Sequence, residues 1–100
     1  MIYDEIVNSI NEHLSQSPKQ YYKDFYIGIT DNIEERLFGY HKVRKQGNWW
    51  IYCKGDTEEI ARQVEKYYLD KGMKGGPGGG AGSGQTRFIY CYEITNKTQE

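Results

Sequence analysis

The segment 25–41, FYIGITDNIEERLFGYH, constrains the fold of this chain of 100 residues more than any other stretch. Its first six residues alternate between apolar side chains and smaller or more polar ones, the apolar ones being Phe25, Ile27 and Ile29. This period of two predicts a half-buried β-strand. Asp31 can cap the helix that follows, with Glu34 completing a capping box, and the helix is predicted to run to about Lys42.

The predicted helix has one apolar face and one cation close to it. Ile33, Leu37 and Tyr40 recur at positions i, i+4 and i+7, so they share the face that packs on the strand. Arg36 precedes Tyr40 by four residues and therefore lies one turn away on the adjoining surface. The segment thus predicts a strand–turn–helix unit that holds an arginine beside a tyrosine.

Three other segments have regular patterns. Residues 2–15 place Ile or Leu at every fourth position, which predicts an amphipathic helix. Residues 49–54, WWIYCK, are apolar on both faces, so we expect a central strand that is covered on both sides. Asp56 is expected to cap a helix that has Glu59 at its third position. Residues 86–95 alternate as a further strand.

Residues 72–84 contain eight of the twelve glycines, a density that disfavours regular structure because each glycine loses much backbone entropy on ordering. The stretch 79–86, GGAGSGQT, is close to a phosphate-binding P-loop, but Gln85 occupies the place of the required lysine. A P-loop also needs a strand before it and a helix after it, whereas the predicted order here is the reverse. Two interpretations stay open: a flexible surface loop, and a surface of backbone N–H groups for a phosphate.

The positive charges are concentrated in one part of the chain. The formal net charge is −1, so the molecule as a whole has no strong attraction for a polyanion. Between Arg36 and Lys54, however, there is no Asp or Glu. The residues predicted to contact nucleic acid in this region are His41, Lys42, Arg44, Lys45 and Lys54. A solvated basic loop explains the same pattern.

Several other classes of site are not indicated by the sequence. Cys53 and Cys91 have neither metal-ligand spacing nor a redox motif, and each is expected to be a buried thiol within a strand. No stretch approaches the roughly 18 apolar residues of a membrane span, and the start lacks the pattern of a signal peptide. We therefore expect a cytoplasmic protein with no membrane partner.

Three features in order resemble the signature of the GIY-YIG nuclease family. Residues 26–28 match its YIG strand, and Arg36 follows the tyrosine of that strand by ten residues, as the family's helix arginine does. Tyr40 matches a position one turn later that members often fill with Tyr or His. Residues 61–65, ARQVE, match the A-x-x-x-E pattern that carries the metal-binding glutamate, which is Glu65 here.

The resemblance implies a fold and an activity. The expected fold is α+β: a small, three-stranded, mainly antiparallel, GIY-YIG-like sheet flanked by about three helices, with an extra N-terminal helix and a C-terminal strand. Residues 1–96 would form this single domain, and residues 97–100 a disordered tail. The implied activity is endonucleolytic hydrolysis of phosphodiester bonds in DNA that depends on a divalent metal ion, Mg²⁺ or Mn²⁺.

The resemblance also implies a role for each matched residue. Glu65 would bind the metal ion, and Arg36 would hold the scissile phosphate through its guanidinium fork. Tyr26 would orient or deprotonate the attacking water, and Tyr40 would assist by hydrogen bonding. These four residues are the predicted catalytic residues.

The chain departs from the family pattern at two places. The region about ten residues before Tyr26, where the GIY strand belongs, reads LSQSP in residues 14–18. Ile29 occupies a position that is often lysine in the family, which removes a cation that would stabilise phenolate. We expect the C-terminal strand to take the place of the missing GIY strand, with Tyr90 or Tyr92 beside Tyr26.

Three functions remain open from the sequence. The first is a GIY-YIG-type endonuclease, the second is a non-catalytic relative that binds nucleic acid or protein, and the third is an unrelated small α+β interaction domain. Convergence of Tyr26, Arg36 and Glu65 in space would separate the first from the third. Cleavage of DNA would separate the first from the second.

Overall fold

The computed structural model describes residues 1–17, 19, 21–76 and 86–100. Its elements, in chain order, are α1 (Tyr3–Leu14), a 3-10 turn (Tyr22–Asp24), β1 (Phe25–Thr30), a π-helix (Glu34–Tyr40), β2 (Trp50–Lys54), α2 (Glu58–Lys71) and β3 (Phe88–Glu93). The predicted α+β fold, with three helices and a three-stranded antiparallel sheet, is confirmed over this part of the chain. Among the same residues, no helix combines the length and apolar character that crossing a bilayer requires.

The C-terminal strand lies at the centre of the sheet. The strand order is β1-β3-β2, and β3 is antiparallel to both neighbours. Tyr26 of β1 pairs with Tyr92, and Gly28 pairs with Tyr90. The expectation that the last strand pairs with the YIG strand is therefore confirmed.

β2 is an edge strand, which corrects the prediction of a central strand covered on both faces. Ile51 and Cys53 are buried, but Trp50 is only half-buried and Tyr52 is 45% exposed. Aromatic residues count as apolar in a sequence pattern, yet tyrosine and tryptophan carry a polar atom that suits a partly solvated face. The face of β2 that carries Trp50 and Tyr52 is therefore partly open to solvent.

The sheet is covered on both faces at β1 and β3. On one face, α1 and α2 enclose a core whose fully buried residues include Ile6, Ile10, Val64 and Ile89. On the other face, Leu37 of the π-helix packs in a cluster with aromatic residues of β1 and β3. All six residues of β1 are buried. The prediction of a half-buried strand is wrong because layers on both faces cover it.

The helix after β1 is a π-helix rather than the predicted α-helix. The backbone N–H of His41 donates to the carbonyl of Arg36, five residues earlier, at 3.0 Å. A π-turn holds more residues than the roughly 3.6 of an α-turn, so residues late in the helix lie on different faces from those an α-helix would give them. Tyr40, predicted on the buried face, is 46% exposed, and His41 is fully buried in its place.

Both predicted helix caps are displaced by one residue. The side chain of Asn32, not that of Asp31, accepts from the N–H of Glu35 at 3.1 Å. Thr57, not Asp56, caps α2, because its hydroxyl accepts from a backbone N–H at 3.2 Å. Asp, Asn and Thr are all favourable capping residues, so composition alone does not select among neighbours.

The first part of the glycine-rich stretch is tied to the sheet. Lys74 forms a parallel bridge to β1: its N–H donates to the carbonyl of Phe25 at 2.9 Å, and its carbonyl accepts from the N–H of Ile27 at 2.8 Å. The prediction that residues 72–84 contain no regular pairing is thus wrong at Lys74. Residues 77–85, which include most of the P-loop-like stretch, lie outside the described residues.

Both cysteines are free and buried, as the sequence predicts. Cys53 and Cys91 lie on the face of the sheet that α1 and α2 cover. Burial raises the pKa of each thiol. Because the thiolate is the reactive form, these residues act as small apolar side chains.

Candidate active site

Tyr26 lies at the centre of an aromatic cluster on the π-helix side of the sheet. Its ring stacks on that of Tyr92 with the centroids 5.2 Å apart, and on that of Tyr90 at 6.4 Å. The ring of His41 lies 4.7 Å away, and Tyr26 is only 5% exposed. The expectation of a tyrosine beside Tyr26 is met by both Tyr90 and Tyr92.

Gly28 makes room for Tyr90. A Cβ atom at Gly28 would lie 2.5 Å from the ring carbon Cζ of Tyr90 and closer still to its hydroxyl oxygen. Side chains do not approach that closely, so the tyrosine ring fits over β1 only because residue 28 has no side chain. The glycine of the YIG pattern thus has a packing reason in this structure.

Arg36 reaches the same cluster from the π-helix. Its guanidinium carbon lies 4.6 Å from the centre of the Tyr40 ring, as a cation–π pair. Burial lowers the pKa of Arg36, but its interactions with Tyr90 and Tyr26 outweigh burial and raise the pKa above its ordinary value. The Nε atom is buried and has no hydrogen-bond partner among the described residues. An unpaired buried donor is unfavourable by about 1–3 kcal/mol, so a hydrogen-bond acceptor brought to this atom would stabilise the site.

Glu65 approaches from α2. It is half-buried, and its carboxylate forms no hydrogen bond or salt bridge within the described part of the chain. Burial raises its pKa, and the charge of Arg62 opposes that shift only in part. The charge of Glu65 acts on both Tyr26 and Tyr90. Glu65 is thus within electrostatic reach of the tyrosine pair on which Arg36 also acts.

Burial and several neighbouring residues all shift the pKa of the Tyr26 hydroxyl. Burial raises the pKa of Tyr26 most strongly, Arg36 and a backbone hydrogen bond from Gly76 lower it, and Tyr40 and Glu65 raise it further. The net shift is upward, so the phenol is protonated at neutral pH. Of the predicted residues, Arg36 and Tyr40 therefore lie in the cluster around Tyr26, whereas Glu65 of α2 acts on Tyr26 through its charge.

His41 forms a buried chain of hydrogen bonds that the sequence analysis does not predict. Its Nδ1 atom lies 2.6 Å from the carbonyl oxygen of Gln99, and its Nε2 atom lies 2.8 Å from the hydroxyl of Tyr90. A carbonyl can only accept, so Nδ1 carries the proton, and Nε2 of the neutral ring accepts from the Tyr90 O–H. Burial lowers the pKa of His41, which favours this neutral form.

The C-terminal tail holds this chain of hydrogen bonds in place. The N–H of Gln99 donates to the carbonyl of His41 at 2.7 Å. The hydroxyl of Tyr92 donates to the carbonyl of Gln99 at 3.2 Å. The tail that was predicted to be disordered is therefore docked at residue 99, because its backbone pairs with a buried histidine.

One of the residues predicted to bind nucleic acid, His41, does not lie on the surface. His41 is fully buried and both of its ring nitrogens are hydrogen-bonded inside the protein, so it offers nothing to nucleic acid. The other predicted residues, Lys42, Arg44, Lys45 and Lys54, are exposed. Lys45 also forms a salt bridge with Glu34 at 3.1 Å, which is weak at such exposure.

The buried role of His41 and the anchoring role of Gln99 are absent from the sequence prediction. The spacing of four residues between Leu37 and His41 is a signal for the apolar face, but the prediction groups His41 with the neighbouring cations, and a polar tail gives no packing signal. Gly39, just before Tyr40, is a local signal for an irregular turn, since glycine often marks a break in a helix. That signal locates the irregularity without showing which side chain turns inward.

Glu65 is the carboxylate that the family resemblance assigns to a divalent metal ion. No group of three or more His, Cys, Asp or Glu side chains that could hold a metal occurs within the described ranges. Mg²⁺ is commonly held by one or two carboxylates together with water and substrate phosphates. A half-buried carboxylate free of other partners suits that arrangement, in which the phosphate completes the ligand set.

Comparison with protein-family models, with curated proteins and with solved structures gives no match to this chain. The functional assignment therefore depends on the chemistry of the site.

Proposed function

We propose that this protein hydrolyses phosphodiester bonds in DNA with the help of a divalent metal ion, as GIY-YIG endonucleases do. The observations that support the proposal are the buried, unpaired Nε atom of Arg36 and the action of two charges from different helices, Arg36 and Glu65, on the pKa of Tyr26. A cation, a carboxylate and a hydroxyl around one point suit the cleavage of a phosphodiester.

Arg36 would bind the scissile phosphate. Its guanidinium is permanently charged and presents several N–H donors in one plane, which suits two phosphate oxygens. The buried Nε atom has no partner among the described residues, so a phosphate oxygen would satisfy it. The ring of Tyr40, against which the guanidinium packs, would keep the fork oriented.

Tyr90 and His41 would accept the proton of the attacking water. Burial raises the pKa of Tyr26, so its phenol stays protonated at neutral pH and would instead orient the water by hydrogen bonding. The Tyr90 O–H donates to Nε2 of His41 at 2.8 Å. When the Tyr90 oxygen takes a proton from water, its own proton can therefore pass to the imidazole. Gln99 keeps His41 in the accepting tautomer.

Glu65 would hold the metal ion jointly with a phosphate oxygen. When bound, such an ion supplies Lewis-acid stabilisation of the charge that develops on the phosphate. Because Glu65 has no other partner in the described part of the chain, binding the cation breaks no existing salt bridge.

Cleavage of supercoiled plasmid DNA tests the proposal. We expect nicking and linearisation with Mg²⁺ or Mn²⁺ and none with EDTA. Arg36→Lys keeps the charge but loses the fork, and we expect it to reduce the rate by about a hundredfold, as loss of one stabilising donor does in other enzymes. Arg62→Lys is the matched control, because Arg62 pairs with Glu58 on the surface of α2. Equal activity of the two variants would contradict the role of Arg36.

A second candidate function is binding of nucleic acid without cleavage. The observation that favours it is the upward shift of the pKa of both Tyr26 and Glu65, caused mainly by burial. A raised pKa lowers the fraction of each group in the ionised form, which is the form that acts as a base or binds a metal ion. Ile29, at the position where the family often has a lysine, is buried and supplies no compensating charge. Salt-sensitive binding of DNA with no cleavage in either metal would support this function over the first.

A further inference from the structure

Four aromatic side chains form a row on the partly open face of β2 and beside it. We call this row the aromatic platform; its members are Phe38, Trp50, Tyr52 and Phe88. The rings of Trp50 and Tyr52 are parallel to within 6°, with centroids 6.2 Å apart. Tyr52 is 45% exposed, and the other three are partly buried. The platform therefore leaves part of its aromatic surface exposed to solvent.

The platform is held by packing at both ends. Phe38 lies edge-on to Trp50 at 5.0 Å, and Phe88 lies edge-on to Tyr52 at 6.1 Å. The indole N–H of Trp50 donates to the carbonyl of Lys45 at 3.1 Å, which fixes the orientation of its ring. Rings fixed before binding lose little entropy when a ligand stacks on them.

Cations lie at both ends of the platform. The Nζ atom of Lys45 is 5.0 Å from the centre of the Phe38 ring, and that of Lys54 is 5.7 Å from the centre of the Phe88 ring. Lys42 and Arg44 are exposed in the segment that leads into β2. Since no Asp or Glu occurs between Arg36 and Lys54, this combination of flat rings and positive charge suits a polyanion that has aromatic groups.

The platform and the candidate active site share one face of the sheet. Tyr52 pairs with Tyr90, and Tyr90 pairs in turn with Gly28. Trp50 pairs with Tyr92, which pairs with Tyr26. Because neighbouring strands are about 4.8 Å apart, the platform lies about two strand spacings from Tyr26.

We propose that the aromatic platform binds the unpaired bases of a single-stranded nucleic acid. Bases would stack on Trp50 and Tyr52, and Lys45 and Lys54 would contact the flanking phosphates. A duplex cannot use the platform in this way, because its bases already stack on one another. An unpaired region of DNA would then be the part of the substrate that the proposed nuclease engages, which rests on the proposed function, but stacking itself requires neither metal nor cleavage.

Binding of a fluorescein-labelled oligo(dT) in EDTA, followed by fluorescence anisotropy, tests this proposal. Tyr52→Ala should weaken binding by about tenfold, the effect expected for losing one stacked base, and Tyr52→Phe should retain it. Tyr21→Ala is the matched control, because Tyr21 is 64% exposed and lies outside the platform. Lys45→Ala and Lys54→Ala should each flatten the dependence of binding on salt. Thermal unfolding should show that every variant is folded.

Tryptophan fluorescence gives a second readout at the platform itself. The chain has two tryptophans, and Trp49 packs on the opposite face, where its indole N–H donates to the carbonyl of His13 at 3.0 Å. Trp49→Phe therefore leaves Trp50 as the reporter, and its emission should be quenched by oligo(dT). In Trp50→Phe the remaining emission should not respond.

Three results would overturn the proposal: oligo(dT) that does not bind, Tyr52→Ala that binds as tightly as the wild type, and a duplex bound equally well with the same dependence on Tyr52. If only the proposed function fails, DNA binding that depends on Tyr52 persists while no metal ion produces cleavage.

Discussion

At the scale of single residues, the site depends on which side chains are small or turned inward. Tyr26, Arg36, Tyr40 and Glu65 were named from the sequence through the family resemblance, whose separate motifs each have a short, fixed spacing. The inward turn of His41 could not be named, since it follows from the π-helical geometry of residues 34–40. The hydrogen-bond partner of His41 Nδ1 is the backbone carbonyl of Gln99. Because every residue has a backbone carbonyl, residue type does not predict this contact.

Substitution of Gly28 tests the close packing of Tyr90 on β1. Gly28→Ala places a methyl group within 2.5 Å of the Tyr90 ring, so we expect the free energy of unfolding to fall by about 1–3 kcal/mol, as overpacking does. Gly39→Ala is the matched control, because the nearest atom to its new methyl group would be a carbonyl oxygen at 3.5 Å. Urea denaturation measures both. Equal stability of Gly28→Ala and the wild type would contradict this packing.

The pH dependence of stability tests the buried neutral histidine. An unfolded histidine has a pKa of about 6.5, and burial lowers that of His41 in the folded protein. As the pH falls below about 6.5, the unfolded state takes up the proton first. The free energy of unfolding should therefore decrease and then level off below the folded pKa. His41→Gln should lack this decrease, whereas His13→Gln, which changes an exposed residue, should keep it.

Urea denaturation at several pH values compares the three proteins. Glu65 acts in the opposite sense, because its raised pKa lets the folded protein take up that proton first as the pH falls. Glu65 is present in all three proteins, so the difference between the wild type and His41→Gln isolates the histidine. A decrease of equal size in His41→Gln would show that His41 is not its source.

At the scale of elements, the sequence predicted where helices and strands lie better than it predicted their type and their ends. The N-terminal helix and all three strands are present where their periodicity placed them. The cap of α2 moved to Thr57 because neighbouring residues cap almost equally well. The tail was expected to be disordered because its residues are polar, but docking at Gln99 depends on backbone groups.

Removal of Gln99 and Glu100 tests the docked tail. It deletes the carbonyl that accepts from His41 at 2.6 Å and the N–H that donates to His41 at 2.7 Å. Loss of partners for a buried group should lower the free energy of unfolding by about 1–3 kcal/mol. Gln99→Ala keeps the backbone and should change it by less than about 0.5 kcal/mol. A truncated protein as stable as Gln99→Ala would mean that the tail contributes nothing.

At the scale of the whole molecule, the strand order was only partly predictable. Local patterns identify strands, but the central place of β3 follows from pairing between residues more than 60 apart, such as Gly28 and Tyr90. The outward face of β2 was misassigned for the same reason, since its neighbours on the sheet decide what covers Trp50 and Tyr52. The convergence of Arg36 and Glu65 was expected only through the family resemblance, which the comparisons leave as a proposal.

A circular permutation tests whether the order of β3 and β1 along the chain matters. The new chain would open between residues 76 and 86 and join residue 100 to residue 1 by a flexible linker. The two strands already meet where β3 ends, because the N–H of Ile94 donates to the carbonyl of Asp24 at 2.9 Å. We expect the same circular dichroism spectrum and a cooperative thermal transition. A permutant opened within β1, after Gly28, should fail to fold, and equal behaviour of the two would contradict the assigned strand roles.

The most direct test of the central claim is the rate of metal-dependent cleavage by two glutamine variants of α2. Glu65→Gln removes the proposed metal ligand, whereas Glu59→Gln changes an exposed carboxylate on the same helix. We expect Glu59→Gln to cleave DNA at the wild-type rate in Mn²⁺ and Glu65→Gln to be slower by about a hundredfold or more. Equal rates for the two variants, or no cleavage by the wild type in any divalent metal, would contradict the central claim.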